Sequence, residues 1–254
     1  MSKKTLADLP PTWIVDRHYL PADMPEQLAA LGQLNKAFRL PGAFLADRLF
    51  TFGRNLSFLQ DRQFLEAFVA ADPDSAERSL VWRKHVLYWA ARRALNLDGD
   101  FVEAACYQGF TARVICKAID LAAHDKRYWL YDLFEAAPTE SHALEGHSED
   151  LYERVRARFA NDPVTVVRGR LPDSLAGNSP ERISLLHLDM NNVAGEIGTL
   201  EVLYDRIVPG GTIVLDDFGW VGYRDQAEAH LEFFAARGDM VLELPTGQGM
   251  VIKR

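Results

Sequence analysis

Residues 240–253 read MVLELPTGQGMVIK, in which two short apolar runs flank the five-residue link PTGQG at 245–249. A link of this length cannot contain a crossover helix, so the two runs are predicted to pair as an antiparallel hairpin. If the strands before them are parallel, the sheet ends in one reversed strand. This feature separates the possible α/β folds from one another.

The sequence before the hairpin supplies the parallel strands. From residue 100 onward, short β-rich apolar runs alternate with amphipathic segments of helical periodicity. Such alternation predicts a parallel sheet with helices on both faces. The expected strands lie at 101–107, 128–134, 164–168, 183–189, 212–217, 240–244 and 250–253. The expected helices lie at 111–123, 141–160, 193–207 and 223–237. The predicted class is therefore α/β, with a Rossmann-like, doubly wound sheet of seven strands whose last strand is antiparallel.

The first part of the chain, residues 1–97, has a different pattern. Apolar residues recur there at helical spacing, most clearly at 56–69 and 79–95 and more weakly at 21–40, and no segment reads convincingly as a strand. We therefore expect two parts. Residues 1–97 are predicted to be a helical lid and substrate-binding segment, and residues 98–254 the sheet domain.

Charge and composition exclude several classes of protein. The 254 residues include 28 Lys and Arg against 36 Asp and Glu, and this acidic balance argues against nucleic acid or an anionic membrane as partner. We find no apolar run long enough to span a bilayer and no signal-peptide pattern, so a cytoplasmic protein is expected. Two cysteines are too few for a disulfide framework or a four-ligand zinc site.

Three carboxylates follow two predicted strands. The strand at 183–189 ends in Asp189, and the strand at 212–217 ends in Asp216 and Asp217. Ligands of open parallel sheets bind beyond the carboxyl ends of the strands. Crowded carboxylates repel unless they are protonated or neutralised by a cation, and oxygen ligands suit Mg²⁺. One aspartate could instead cap a helix while another is solvated, but the convergence of three favours a metal site.

The ends of the first two strands are candidates for nucleotide binding. Ala104, Ala105 and Gly109 are small residues at the point where a backbone would bend toward a ligand, although a tight turn explains them equally well. Asp132, at the end of the second strand, could accept hydrogen bonds from both hydroxyls of a ribose. The dinucleotide pattern GxGxxG is absent, which disfavours NAD.

His187 lies two residues before Asp189 and therefore on the same face of its strand. A histidine within a strand is usually a core residue with satisfied hydrogen bonds, and we favour that interpretation. His187 is nevertheless kept as a candidate catalytic residue because of its neighbours.

These residues lie within a longer resemblance. Residues 100–253 resemble the macrocin O-methyltransferase family of bacterial natural-product biosynthesis in FVE and YQG within 101–109, YDLFEAAP at 131–138, LHLD at 186–189 and PGGTIVLDDFG at 209–219. The last motif is the most specific. The resemblance implies a class I methyltransferase domain over 98–254 that uses S-adenosylmethionine and Mg²⁺. It further implies a hydroxylated small-molecule acceptor, a sugar or glycoside of secondary-metabolite or glycan biosynthesis, and a homo-oligomer.

The resemblance also assigns roles to individual residues. It implies Asp189, Asp216 and Asp217 as metal ligands, which would hold a Mg²⁺ that binds two vicinal hydroxyls of the acceptor. Asp189, Asp217 and His187 are the expected catalytic residues. The expected cofactor contacts are Glu103, Ala104, Ala105, Tyr107, Gly109, Asp132, Leu133, Gly169, Arg170 and Asp189.

The sequence departs from the family pattern at two places. Ala105 stands where the family has a glycine in the first loop. Asn191 and Asn192 occupy the positions of the family's proposed general base, and an amide cannot accept a proton. The proton would then pass to Asp217, to His187 or to a residue of the lid.

Two other functions remain open at this point. The asparagines favour a protein that binds S-adenosylmethionine for a scaffold role or for chemistry other than methyl transfer, whereas the retained aspartates oppose a scaffold. An NAD(P)-dependent oxidoreductase is opposed by the missing GxGxxG and by the terminal hairpin.

Overall fold

The computed structural model describes residues 12–14, 41–134 and 150–254, together with isolated positions between 26 and 36 and residue 148. The chain divides into two compact units, Met1–His85 and Val86–Arg254. The helix expected at 21–40 and the first part of the helix expected at 141–160 fall largely outside the described residues. The role of the N-terminal part as a lid stays a prediction. None of the described helices is long and apolar enough to cross a membrane.

The first unit contains short strands followed by helices. Its described elements are β1 (Trp13–Ile14), β2 (Phe44–Ala46), β3 (Leu49–Thr51), a 3₁₀ turn (Ser57–Gln60), α1 (Arg62–Ala70), α2 (Ser75–Ser79) and the start of α3 (Val81–Ala94). Strand β2 pairs in parallel with β1 and antiparallel with β3.

These strands correct the expectation that residues 1–97 contain none. Each strand is only two or three residues long, and the β2–β3 hairpin turns through Asp47 and Arg48, whose φ angles are 50° and 57°. Asn-Gly or Asp-Gly is the usual sequence signal of such a turn, and Asp-Arg does not provide it. A buried ion pair of 2.6 Å between Asp47 and Arg83 ties the turn to α3.

The helix predicted at 56–69 is also wrong as a single element. Leu56 has a left-handed φ of 47° and precedes the 3₁₀ turn, and α1 begins only at Arg62. The side chain of Asp61 accepts a hydrogen bond from the backbone amide of Phe64 at 3.1 Å, so Asp61 is the N-cap of α1. Apolar residues recur at helical spacing on both sides of Asp61, so the sequence pattern did not indicate that a new helix begins there. The helix predicted at 79–95 is confirmed as α3.

The second unit is built on a seven-stranded sheet. Its strands are β4 (Asp100–Ala104), β5 (Tyr128–Asp132), β6 (Val164–Arg168), β7 (Ile183–Leu188), β8 (Ile207–Leu215), β9 (Leu242–Glu243) and β10 (Gly249–Ile252). Its further helices are α4 (Phe110–Ala118), α5 (Leu151–Arg158), α6 (Val193–Leu203) and α7 (Arg224–Ala235).

The strand order is β6-β5-β4-β7-β8-β10-β9, and β10 is antiparallel to both of its neighbours. The pairs among β4 to β8 are parallel. All seven predicted strands and the terminal hairpin are therefore confirmed. The reversed strand β10 lies inside the sheet, and β9 forms its edge.

Strand β8 begins earlier than predicted. It starts at Ile207 rather than at residue 212, and α6 ends at Leu203, so the helix expected at 193–207 is shorter. The sequence PGG at 209–211 suggested a loop. Instead these residues continue the strand through a register shift against β7. Gly210, with a φ of 83°, supplies the left-handed conformation at that shift.

The start of the central strand β4 depends on Gly99. Its φ is 99°, and a Cβ atom there would lie 2.7 Å from the backbone carbonyl carbon of Arg182. We expect Gly99→Ala to lower the free energy of unfolding by about 2–4 kcal/mol, because neither backbone can move aside. Gly177, with a φ of 72° and open space around it, is the matched control. Gly177→Ala should cost only about 1 kcal/mol. Equal losses in urea unfolding would contradict the steric account.

Candidate active site

The candidate site lies where the strand order reverses. The chain runs from β4 outward to β5 and β6 and then returns to β7 on the other side of β4. Ligands of doubly wound sheets bind at this switch point. The amide of Asp189 donates to the carbonyl oxygen of Ala104 at 3.1 Å, and the amide of Asp216 donates to that of Leu188 at 2.9 Å. The carboxyl ends of β4, β7 and β8 are therefore joined at one edge.

The loop after β4 has an unusual backbone. Ala105, Tyr107 and Gly109 have φ angles of 68°, 49° and 71°. Left-handed conformations of non-glycine residues are costly and tend to occur where a loop serves a ligand. Ala105 adopts the conformation that glycine prefers, so the substitution for the family's glycine is accommodated at the cost of strain in the backbone.

Asp132 holds this loop in place. Its Oδ2 accepts a hydrogen bond from the amide of Tyr107, and its Oδ1 accepts one from the amide of Phe134, both at 2.7 Å. The two oxygens of Asp132 therefore each bind a backbone amide, one in the loop after β4 and one in the loop after β5. A carboxylate oxygen can accept more than one hydrogen bond, so these contacts are compatible with the predicted binding of a ribose.

The other predicted cofactor residues divide by burial. Gly169 joins the same edge of the sheet, because its amide donates to the carbonyl oxygen of Asp132 at 3.0 Å. The residues whose surface is at least partly exposed are Ala105, Tyr107, Leu133, Gly169, Arg170 and Asp189. The buried ones are Glu103, Ala104, Gly109 and Asp132. The first group presents side chains or backbone at the surface of this edge of the sheet.

A row of buried polar side chains crosses the sheet beneath the site. Nδ1 of His187 lies 3.2 Å from Oε1 of Glu103, and Nε2 lies 3.4 Å from Oδ1 of Asp216. Glu103 and His187 are direct neighbours in the β4–β7 register. The same Oδ1 of Asp216 accepts a hydrogen bond of 2.8 Å from Nε2 of Gln248. We call Glu103, His187, Asp216 and Gln248 the buried polar row.

The two carboxylates determine the ionisation of His187. Burial by itself lowers the pKa of the imidazole. Hydrogen bonds to Asp216 and Glu103, with the charges of these residues, outweigh burial and raise the pKa of His187 to about 10. His187 is fully buried and both of its nitrogens face carboxylates. This placement agrees with a core histidine and leaves the ring no exposed atom to offer to a substrate.

One group of side chains could hold a metal ion. Among the described residues, ligand atoms of His187, Asp189 and Asp216 lie within 4.8 Å of one another. Asp217 lies outside this group, although it follows Asp216 directly and is partly exposed. Carboxylates outnumber the single imidazole here, so a divalent cation would relieve their repulsion. The arrangement of Asp189 and Asp216 therefore fits an oxygen-binding cation such as Mg²⁺.

A second buried pair supports the loop that carries Asp189. Oε1 of Glu196 accepts hydrogen bonds from the amides of Met190 and Asn191, at 3.0 and 3.2 Å. Oε2 of Glu196 lies 2.8 Å from Nε2 of His230, which brings α6 and α7 into contact. Helices α6 and α7 thus fix the backbone immediately after Asp189.

The two asparagines after Asp189 have different surroundings. Asn191 has a left-handed φ of 54°, and its Oδ1 is buried without a hydrogen-bond partner among the described residues. Asn192 is exposed and is the N-cap of α6, where its side chain accepts a hydrogen bond of 2.8 Å from Gly195. The cap accounts for Asn192 in structural terms.

Sequence reasoning missed Gln248, Glu196 and His230. Gln248 read as a turn residue, and Glu196 as one polar residue within an amphipathic helix. Once the hairpin is assumed, however, the β8–β10 register pairs Gly249 with Leu215 and so brings Gln248 close to Asp216. That register was the one available signal. The contact between Glu196 and His230 joins two helices, and no local pattern indicates it.

Comparison with known proteins agrees with this geometry. The sequence model of the family described as Macrocin-O-methyltransferase (TylF) matches residues 89–238, more than half of the chain. The O-methyltransferase NovP has a similar fold, with a TM-score of 0.58 and 20% identity over 69% of this chain and 81% of NovP. The fold is therefore that of a class I methyltransferase.

Two curated relatives match in sequence. The 8-demethyl-8-(2,3-dimethoxy-alpha-L-rhamnosyl)-tetracenomycin-C 4'-O-methyltransferase of Streptomyces olivaceus is 31% identical over 150 residues, which is 51% of this chain and 57% of the relative. The mycinamicin III 3''-O-methyltransferase of Micromonospora griseorubida is 25% identical over 145 residues, 48% of this chain and 56% of the relative. The match thus spans little more than half the length of each relative.

The Glu196 support can be tested by substitution. Glu196→Ala should lower the free energy of unfolding by about 3–5 kcal/mol, because it leaves two backbone amides and His230 without their buried partner. Glu196→Gln keeps an acceptor for the amides and should lose less than half as much. The exposed Glu232 on α7 supplies the control variant Glu232→Ala. If Glu196→Ala and Glu232→Ala lose the same free energy of unfolding in urea, Glu196 does not support the loop after Asp189.

Proposed function

The chain belongs to the macrocin O-methyltransferase family, and from this membership we propose that it is an O-methyltransferase that uses S-adenosylmethionine and Mg²⁺. Its acceptor would be a hydroxyl of a sugar or another polyhydroxylated small molecule, in secondary-metabolite or glycan biosynthesis. The observation that carries the proposal is the meeting of Asp189 and Asp216 beside the strained loop after β4.

The first step is the binding of the methyl donor. S-adenosylmethionine supplies a methyl group on a positively charged sulfur. The loop at 105–109 and the residues Leu133, Gly169 and Arg170 form the surface available to it at the ends of β4, β5 and β6. Asp132 fixes the backbone of that surface through its hydrogen bonds from Tyr107 and Phe134, and its carboxylate would accept hydrogen bonds from the ribose hydroxyls.

The second step is the orientation and activation of the acceptor. Asp189 and Asp216 are the residues that would hold Mg²⁺, and the chemistry that the ion would supply is a lower pKa for the acceptor hydroxyl. Methyl transfer is an in-line displacement, so the attacking oxygen must be aligned with the methyl carbon and its leaving sulfur. The rhamnosyl group in the name of the Streptomyces olivaceus relative supports a sugar as the acceptor.

The proton of the acceptor hydroxyl goes to Asp217 in this proposal. His187 is buried between two carboxylates, and Asn191 cannot accept a proton. Asp217 is partly exposed, lies next to Asp216 in the chain and stands outside the group around Asp189. It is therefore the aspartate of the three that is left for a role as general base.

The amide side chains of Asn191 and Asn192 favour one alternative. With an amide at the position of the family's base, the protein could bind S-adenosylmethionine without transferring its methyl group. A scaffold of this kind would keep the cofactor surface and would give no methylated product with any acceptor.

Binding is tested by calorimetry with S-adenosylmethionine and then MgCl₂. The wild-type protein should bind both. Asp216→Asn should keep its affinity for S-adenosylmethionine and lose most of its affinity for Mg²⁺, because a neutral amide replaces a charged ligand. The exposed Asp205 provides the control variant Asp205→Asn, which should bind both normally. A wild-type protein that binds no S-adenosylmethionine would remove the proposal.

Turnover is tested with a panel of glycosides that carry vicinal hydroxyls, matched to analogues in which one hydroxyl is blocked. Mass spectrometry should detect monomethylated products from the diols only. Asp217→Asn should reduce kcat by about 10²–10⁴-fold, the contribution of a general base, while the affinities for S-adenosylmethionine and Mg²⁺ stay unchanged. Cofactor binding without product from any diol would instead favour the scaffold. Unchanged kcat in Asp217→Asn would contradict Asp217 as the general base and mean that another group accepts the proton.

A further inference from the structure

We propose that Gln248 is a positioning residue for the metal site: its side-chain amide, itself held by Thr246, fixes the carboxylate of Asp216 in the orientation that binds the cation. This inference rests on the proposed function, because it concerns the same metal. It adds a residue from the terminal hairpin, which otherwise contributes only strands to the fold.

The contacts form a short buried chain. Oγ1 of Thr246 donates to Oε1 of Gln248 at 3.0 Å, and Nε2 of Gln248 donates to Oδ1 of Asp216 at 2.8 Å. Gln248 is 0% exposed, Thr246 5% and Asp216 5%. In such an environment a hydrogen bond is not exchanged with water, so the orientation of each group is determined by its neighbour.

The direction of the amide follows from charge. If the amide were reversed, its carbonyl oxygen would face the negatively charged oxygen of Asp216, and two acceptors would meet without a hydrogen between them. The hydroxyl of Thr246 is suited to the observed orientation because it can donate to the carbonyl oxygen. Thr246 and Gln248 are therefore arranged to present an N–H group to Asp216.

The backbone of the hairpin holds Gln248 at this place. The carbonyl oxygen of Gln248 accepts a hydrogen bond of 2.8 Å from the amide of Leu244 across the turn. Gly249 pairs with Leu215 in the β8–β10 register, and a Cβ atom on Gly249 would lie 2.8 Å from the ring of Phe218. The position of Gln248 is thus set by strand pairing and by close packing on both sides.

A neutral donor is the appropriate partner for a carboxylate that binds a cation. Oδ1 of Asp216 takes hydrogen bonds from Gln248 and His187, so the carboxylate that lies in one group with Asp189 has a fixed orientation. A lysine or arginine in place of Gln248 would add a second positive charge to the one that His187 already brings to Asp216, and would repel a metal ion. Gln248 orients the ligand without adding positive charge, in the manner of the hydrogen-bonded partners that surround metal ligands in other proteins.

The test measures the affinity of the 254-residue chain for MgCl₂ by calorimetry. Gln248→Met keeps the approximate volume of the side chain and removes the donor, and it should weaken Mg²⁺ binding by about 10–100-fold. Affinity for S-adenosylmethionine should change by less than about 2-fold, since the hydrogen bonds of Thr246 and Gln248 lead to Asp216 and not to the loop after β4. The electron paramagnetic resonance spectrum of bound Mn²⁺ should also differ from that of the wild-type protein.

Three further variants separate positioning from stability. Thr246→Val removes only the hydrogen bond from Thr246 to Gln248 and should give a smaller loss of Mg²⁺ affinity. The double variant Thr246→Val/Gln248→Met should bind Mg²⁺ no more weakly than Gln248→Met alone. If Gln248→Met does not fold, Thr246→Val carries the test. The control is Ser184→Ala. Ser184 is buried in β7 at the opposite end of the sheet and donates to the carbonyl oxygen of Gly99 at 2.9 Å. This variant should melt at a lower temperature with unchanged Mg²⁺ affinity.

The outcomes distinguish this inference from the proposed function. If the wild-type protein and Gln248→Met bind Mg²⁺ within about 2-fold of each other, the positioning role is overturned and the metal site stands. If the losses of Mg²⁺ affinity in the double variant were additive, Thr246 would not act through Gln248, and this part of the inference would be overturned. If the wild-type protein binds S-adenosylmethionine but no Mg²⁺, the metal is removed from the proposed function and the inference falls with it.

Discussion

The contact between His187 and the carboxylates of Glu103 and Asp216 is the constraint around which the site is built. Strands β4 and β7 each contribute one member, the third directly follows β8, and all three side chains are buried. A charged or polar group is tolerated in such a place only when its partners are in register. A slip of one residue between β4 and β7 would turn Glu103 to the other face and leave His187 with one partner fewer.

The same register between β4 and β7 brings the loops that carry the candidate site residues together at the carboxyl ends of the strands. Because Glu103 and His187 are paired within the sheet, the loop after β4 and the loop after β7 leave the sheet side by side. Asp189 then receives support from Glu196 through the backbone of residues 190 and 191. Asp216 receives support from His187 and Gln248. Each candidate metal ligand is thus held by a separate buried group, which reduces the reorganisation needed to bind a cation.

The sequence predicted the sheet domain well because its information is local and repeated. Alternating strands and helices, and a link too short for a crossover, were sufficient for the seven strands and the reversed hairpin. The start of β8 was missed because Pro209-Gly210-Gly211 is typical of a loop, and only pairing with β7 makes it a strand. The strands β2 and β3 were missed because they are too short for a periodicity and turn through Asp47 and Arg48.

Within the candidate site, the aspartates could be predicted and their supports could not. Asp189 and Asp216 follow strands directly, so strand ends alone place them together. Gln248 and Glu196 act through contacts between distant segments, and the sequence gives no local sign of such contacts. Because side chains alternate along a strand, the sequence predicted that His187 shares a face with Asp189. Its burial between two carboxylates could be predicted only from the order of the strands.

The central claim is that Asp189 and Asp216 hold a divalent cation beside bound S-adenosylmethionine. Crystals grown with S-adenosylhomocysteine and MnCl₂ test it directly, since Mn²⁺ can be located by anomalous diffraction. The account predicts one anomalous peak with oxygen atoms of Asp189 and Asp216 at about 2.1 Å, the distance of octahedral Mg²⁺ sites. S-adenosylhomocysteine bound at the loop after β4 without such a peak, or a peak on other residues, would contradict it.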